Sequence, residues 1–488
     1  MTLPAEAIDR PSIAVLQLGR PFDPRRTAIA ALAAGVVIGL AVAYLIVSGE
    51  TQLAIGAAVA LPMVALVVRD PFIGVILWLI TLPYFLQLSA ETGPVVWALH
   101  RLGIPLLMVL TAVHGRLGWR RWGLRLGWID LLVAAFIAIG LLNVIFFAPN
   151  VPRMIASFYD KLIIPIGIFW LVRALSPRAR EIGLLVWAGL FTVVVQSTIG
   201  IMSWVAPSVL PAAWLGRAGE RTTGTLGGPA PYTITLVLFV LLALHAAAQN
   251  PSIARRAGTI AIAILGVVAI FLSLSRGSWL GAGLAIGGLM LLYRRMLWTV
   301  GLVGLVAFAA LSVGPLAEQV AFAQDRLADA DTVESRLITN DAALRMIESR
   351  PVTGFGFGNF EHFDESFKRR VGDIPLKLGG SAHNTYLNMF AELGVPATIL
   401  YLGAPFLLLV MTIQRWRRLP RSGLMGRSLV VVLWLAFIDQ VAVLNFLEMI
   451  HPYFWATSLW WLILGLIAAT LDRAVPARGG EQPGAPRA

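Results

Sequence analysis

Residues 381–396 read SAHNTYLNMFAELGVP, with His383 and Asn384 side by side where a polar segment meets a long apolar one. An imidazole with an ordinary pKa near 6.5 can take a proton from a hydroxyl at neutral pH. Placed where the chain enters lipid, such a group suits chemistry on a lipid-borne substrate; otherwise it is a histidine resting at the interface. Asn384, Asn388 and Glu392 recur every four residues and so share one helix face. Glu392 then lies about two turns inside a span, where a carboxylate is costly and faces the bundle interior with a partner. It shapes the cavity under His383, or it is a structural hydrogen-bond partner.

Fixed guanidinium groups bind phosphate and diphosphate bidentately. Arg276 interrupts two apolar stretches in SLSRGSWLG, and Arg217 and Arg221 stand in LGRAGERTTGTLGGPAP just before another. These three and Lys161 are candidates to hold a diphosphate, Lys161 from near the start of a span at 158–174. The competing readings are snorkelling to lipid headgroups and ion pairs with Glu220 or Glu392. Arg153 is a weaker candidate of the same kind. His362 reads as a surface residue, and His451 at a turn before Pro452 could line the same cavity. His100, His114 and His245 fall near cytoplasmic or buried ends. Asp329 and Asp331 form a D-x-D, read as a solvated helix face because no histidine or second acidic cluster backs it. No metal or other cofactor is expected.

The elements that must position these groups are membrane spans. The chain has 488 residues, 58% hydrophobic and 13% charged, with mean hydropathy +0.80. Apolar runs of about 18 residues recur, which predicts an all-α polytopic membrane protein of about 12–14 spans. The first 26 residues show no cleavable signal pattern, so the first span is expected to be its own insertion signal. Spans are expected near 27–48, 52–68, 71–90, 97–113, 128–147, 158–174, 182–205, 229–248, 257–274, 278–293, 297–314, 385–413, 428–447 and 453–471. Alternate loops are then basic: Arg116, Arg120, Arg121 and Arg125; Arg173, Arg178 and Arg180; Arg255 and Arg256; Arg294 and Arg295; Arg415, Arg417, Arg418 and Arg421. The net charge of +12 is therefore read as topology with the basic loops cytoplasmic, and nucleic acid is not an expected partner. The chain has no cysteine, which excludes disulfides, thiolate metal sites and a cysteine nucleophile.

The resulting organisation is a cytoplasmic tail at 1–26, spans at 27–314, a periplasmic loop module at 315–384, spans at 385–471 and a disordered cytoplasmic tail at 472–488. Within the module, residues 323–349 read as a helix stopped by Arg350 and Pro351. GFGFGNF at 354–360 follows as a tight loop backed by aromatics. Its spacing is not that of a phosphate-binding fingerprint.

These motifs in this order resemble the O-antigen ligase and O-antigen polymerase superfamily of membrane glycosyltransferases. Arg276 and Leu280 match its Arg-x-x-x-Leu element, RPVTGFGFGNF its large periplasmic loop, and His383, Asn384 and Gly394 its H-N-x9-G. The segment around Arg221 is similar to its arginine-bearing outer loop. Ala397 stands where the family has a smaller residue such as glycine. The likeness covers roughly 130–475. It implies a GT-C type fold in a bacterial inner membrane, with the active site at the periplasmic face. It also implies a donor glycan on undecaprenyl diphosphate and a lipid or glycan acceptor. His383 would act as catalytic base, with inversion and without a metal, while the membrane cavity held the polyprenyl chain. Ligation to lipid A–core and polymerisation of repeat units both fit, with ligation preferred. A lipid-linked sugar transporter or flippase is the competing class. It would place polar residues near several span midpoints and break helices in paired halves.

Overall fold

The computed structural model describes residues 62–86, 97–120, 122–215, 221–294, 298, 301, 331–370, 383–448, 450 and 453–474. Arg217, His451, Asp329, the span at 27–48, most of those at 52–68 and 297–314, and most of the terminal tails lie outside the described residues. The described chain is helical, without strands among those residues. In order it forms α1 (Pro71–Phe85), α2 (Gly103–Arg116), α3 (Trp128–Phe147), α4 (Val151–Leu175), α5 (Ala179–Val205), α6 (Pro229–Gln249), α7 (Ile253–Phe271), α8 (Arg276–Leu292), α9 (Asp331–Ser349), α10 (Phe360–Phe367), α11 (Thr385–Arg415), α12 (Arg427–Leu444) and α13 (Phe454–Arg473). Among the described residues, nine helices are long and apolar enough to cross a membrane, with α1 and α8 as shorter apolar helices. The protein is thus a polytopic helical membrane protein.

α6 and α13 are buried along nearly their whole length and form the centre. α6 packs on α5, α7 and α12, and α13 on α4 and α12. Small residues let these helices approach closely, as membrane packing requires. A Cβ on Gly465 would lie 3.1 Å from the Phe169 carbonyl oxygen. One on Gly189 would lie 2.5 Å from the Phe239 ring. Trp455, Trp460 and Trp461 are all core residues of α13.

α4 differs from its expected limits. It begins at Val151, where the Asn150 side chain accepts from Arg153 N–H at 3.2 Å and Pro152 sits in the first turn. It then runs through a π-helical turn at Tyr159–Ile163. Lys161 therefore sits ten residues inside a long helix and not near its start.

The two ends of the bundle differ in charge chemistry. At one end Arg120 pairs with Asp70 at 3.1 Å and Glu181 at 2.8 Å, and buried Arg173 bridges Asp130 and Asp472. Arg415 joins Asp472 at 3.0 Å. This is the end that the charge rule assigns to the cytoplasm. At the other end α9 and α10 pack onto the first part of α11 through Ala343, Met346, Phe355, Phe360 and Ala391.

Candidate functional site

The site begins with a broken helix. Within α11, Gly394 has φ +78°, and Pro396 two residues on carries no N–H. The Glu392 carbonyl thus loses its helical donor. The Ala391 carbonyl loses Val395, whose N–H turns to Pro351 O at 2.8 Å. Both orphaned carbonyls are taken up by the GFGFGNF loop: Phe355 N–H donates to Ala391 O and Gly356 N–H to Glu392 O, each at 2.9 Å. Broken helices persist in membranes only when the freed backbone groups are satisfied in this way. The loop approaches so closely that a Cβ on Gly354 would lie 2.3 Å from Glu392 O. The alternating phenylalanines face inward, with Phe355, Phe357 and Phe360 buried. Loop and helix break are one structural unit.

This unit fixes the first half of α11, whose N-terminus carries the candidate base. Asn384 is the N-cap: its Oδ1 accepts from Tyr386 N–H at 3.0 Å and Leu387 N–H at 3.1 Å. Asn388 and Glu392 lie below it, both buried. The Glu392 carboxylate accepts from Phe360 N–H at 3.0 Å, so it serves the loop as a hydrogen-bond partner. His383 is partly buried, and its Nδ1 has no hydrogen-bond partner among the described residues. Burial, and then the positive charge of Arg336, push its pKa below the ordinary 6.5.

Arg336 is the residue that sequence reasoning missed. It stands on α9 in a run of mixed charges, where no spacing rule distinguishes it. In the fold its charge acts on His383, and its own guanidinium feels Arg276. Burial first and Arg276 second lower its pKa. Arg276, Arg336 and His383 thus form one electrostatically linked group drawn from α8, α9 and the start of α11.

Backbone contacts bring the supporting loops to the same corner. Arg276 opens α8 just after Leu274, a leucine with φ +50° in the left-handed region. Beside it, a Cβ on Gly277 would lie 2.9 Å from Phe446, and the Leu447 carbonyl accepts from Thr385 Oγ1 at 2.7 Å. The α12–α13 turn therefore couples the start of α8 to the start of α11. On the other side of the hairpin, Thr222 N–H reaches Leu272 O at 3.4 Å, which places Arg221 next to the same turn. The segment after Arg221 is folded into the bundle. Gln196 of α5 donates to Thr225 Oγ1 at 2.7 Å and accepts from Thr225 N–H at 3.1 Å.

Lys161 lies within electrostatic reach of Glu448, Glu392 and Asp160, and of Arg153. Arg153 and His362 are exposed, and His100, His114 and His245 are buried. Among the described residues no group of three or more His, Asp or Glu is placed to hold a metal. Directly beneath the Asn384 cap lies a cavity lined by Thr385, Tyr386, Tyr401, Gln440, Thr457 and Trp460. Gln440 is buried there with neither amide atom paired among the described residues.

The class defined by this fold and site is a polytopic membrane protein with Arg276, Arg336 and His383 electrostatically linked at one end of its bundle. Residues 261–402 match the family model described as O-antigen ligase, and this segment belongs to the O-antigen ligase and Wzy-like superfamily. The match takes in Arg276, Arg336, the glycine-rich loop, His383 and the break at Gly394. No curated protein matches the chain.

Proposed function

We propose that the chain transfers a glycan from undecaprenyl diphosphate to an acceptor hydroxyl at the periplasmic face. The observation that carries this reading is Arg336, whose charge acts on His383 and feels that of Arg276. One arginine acting on a proton acceptor, with a second arginine within its own electrostatic reach, suits a reaction that expels an anion and removes a proton. His383 is held neutral by burial and by Arg336, so its ring nitrogen can accept the hydroxyl proton at neutral pH. The hydroxyl oxygen forms the new bond to the anomeric carbon, and the bond to the diphosphate oxygen breaks. The diphosphate leaves with the electron pair, its developing charge met by Arg276, Arg336 and Arg221. A single displacement inverts the anomeric centre.

The matched family is described as O-antigen ligase, so ligation is the reading we put first, with lipid A–core as its proposed acceptor. The test supplies purified protein with lipid-linked donor and offers lipid A–core and a second lipid-linked repeat unit in separate reactions. Transfer to lipid A–core is expected. Transfer to the repeat unit alone would make the protein a polymerase, and transfer to neither would overturn the reading.

A further inference from the structure

Asn143 lies inside α3, in a stretch where the neighbouring side chains are apolar, and it is 5% exposed. An amide in such a span is costly unless its polar atoms are paired. Among the described residues, every hydrogen bond of its side chain ends on the unit formed by the glycine-rich loop and the break in α11. Nδ2 donates to Thr353 O at 2.7 Å and to Glu392 O at 3.2 Å, and Oδ1 accepts from Phe357 N–H at 2.9 Å. One turn further along α3, Phe147 O accepts from Asn359 Nδ2 at 3.1 Å, and the same amide donates to Phe355 O at 3.0 Å. α3 also packs directly on α11.

The mechanical consequence follows from the break. Residues 385–393 are joined to the rest of α11 through Gly394, whose positive φ marks a joint and not a continuous helix. The angle of this half-helix is set by what grips its lower end. That grip is the loop, and Asn143 pins the loop to α3. At the upper end the Thr385 contact with Leu447 is a second tether. We infer that Asn143 is a positioning residue for His383, acting through residues 353–357 and the broken span to hold the imidazole beside Arg336 and Arg276. Its kinetic consequence rests on the glycan-transfer reading; the anchoring itself does not.

The test uses the full chain in detergent. Asn143→Ala is expected to keep the helical bundle, judged by circular dichroism and gel filtration. Amide hydrogen exchange over 353–360 should quicken by about tenfold or more. The transfer kcat should fall by about tenfold to a hundredfold with little change in donor KM, the cost of misplacing one reacting group. Labelling of His383 by diethyl pyrocarbonate, followed against pH, should report a titration moved up toward 6.5 as the imidazole leaves the field of Arg336. Asn143→Asp keeps the acceptor for Phe357 N–H and should recover part of the protection and of the rate. It also serves as the test variant if Asn143→Ala does not fold. Two results overturn the inference: unchanged exchange over 353–360, or lost protection with kcat and the His383 titration both unchanged. If the wild-type protein transfers nothing, the reaction reading fails, while exchange and labelling still decide the anchor.

Discussion

In the proposed reaction His383 would be useful because it is neutral. Burial and the charge of Arg336 both disfavour the imidazolium, so the group remains a proton acceptor below the pH at which an ordinary histidine would be protonated. The acid limb of the kcat/KM profile should therefore fall below 6.5. Arg336→Gln removes one of the two causes, so that limb should move up toward 6.5. It also removes a cation from the leaving group, so the rate at pH 8 should drop by about a hundredfold, the scale seen when one transition-state donor is lost. A pH–rate series on the two proteins checks both effects. An unmoved limb would show that Arg336 does not act on the base. Arg276 was readable as a candidate because it interrupts apolar chain, where a charge needs a reason, and His383 because it stands where polar chain turns into a long apolar run. Arg336 was not, because on a charged helix it needs none. Only the packing of α9 on α11 gives it a role.

The glycines of the loop and of α11 looked like separate turn and motif signals, but their function is joint. Gly394 and Pro396 free two carbonyls, and the loop returns two N–H groups. Such pairing is long-range, so no local pattern reveals it. A side chain at Gly394 would need an unfavourable φ of +78° and would place its Cβ 2.2 Å from Val352 O. Gly394→Ala should cost at least about 1–3 kcal/mol and lower the melting temperature in detergent. Glu392 gives a sharper test of role. If it acts as the acceptor for Phe360 N–H, Glu392→Gln should keep most stability and transfer activity. Glu392→Ala, which leaves that buried N–H unpaired, should cost about 1–3 kcal/mol. A collapse of activity in Glu392→Gln with stability intact would instead assign the charge a part in tuning the site.

For the whole molecule, the spans were legible because lipid leaves the backbone few options, and runs of apolar residues then mark helices. Their ends were less so. α4 begins well before its expected limit because Asn150 and Pro152 start a helix that hydropathy alone does not register. The burial of the polar segment after Arg221 was also hidden, since it depends on Gln196 from another span. The account places His362 and Arg418 on opposite faces of the membrane. The chain has no native cysteine, so single cysteines at these positions can be labelled with an impermeant maleimide in right-side-out spheroplasts. Labelling at 362 and protection at 418 are expected, and the reverse pattern would put the site on the wrong face. The most direct measurement of the central claim is single-turnover transfer from a defined undecaprenyl-diphosphate glycan by folded wild-type and His383→Ala proteins. The account predicts inverted product from the wild type and a rate at least about a hundredfold lower from the variant. Undiminished transfer by His383→Ala would contradict it.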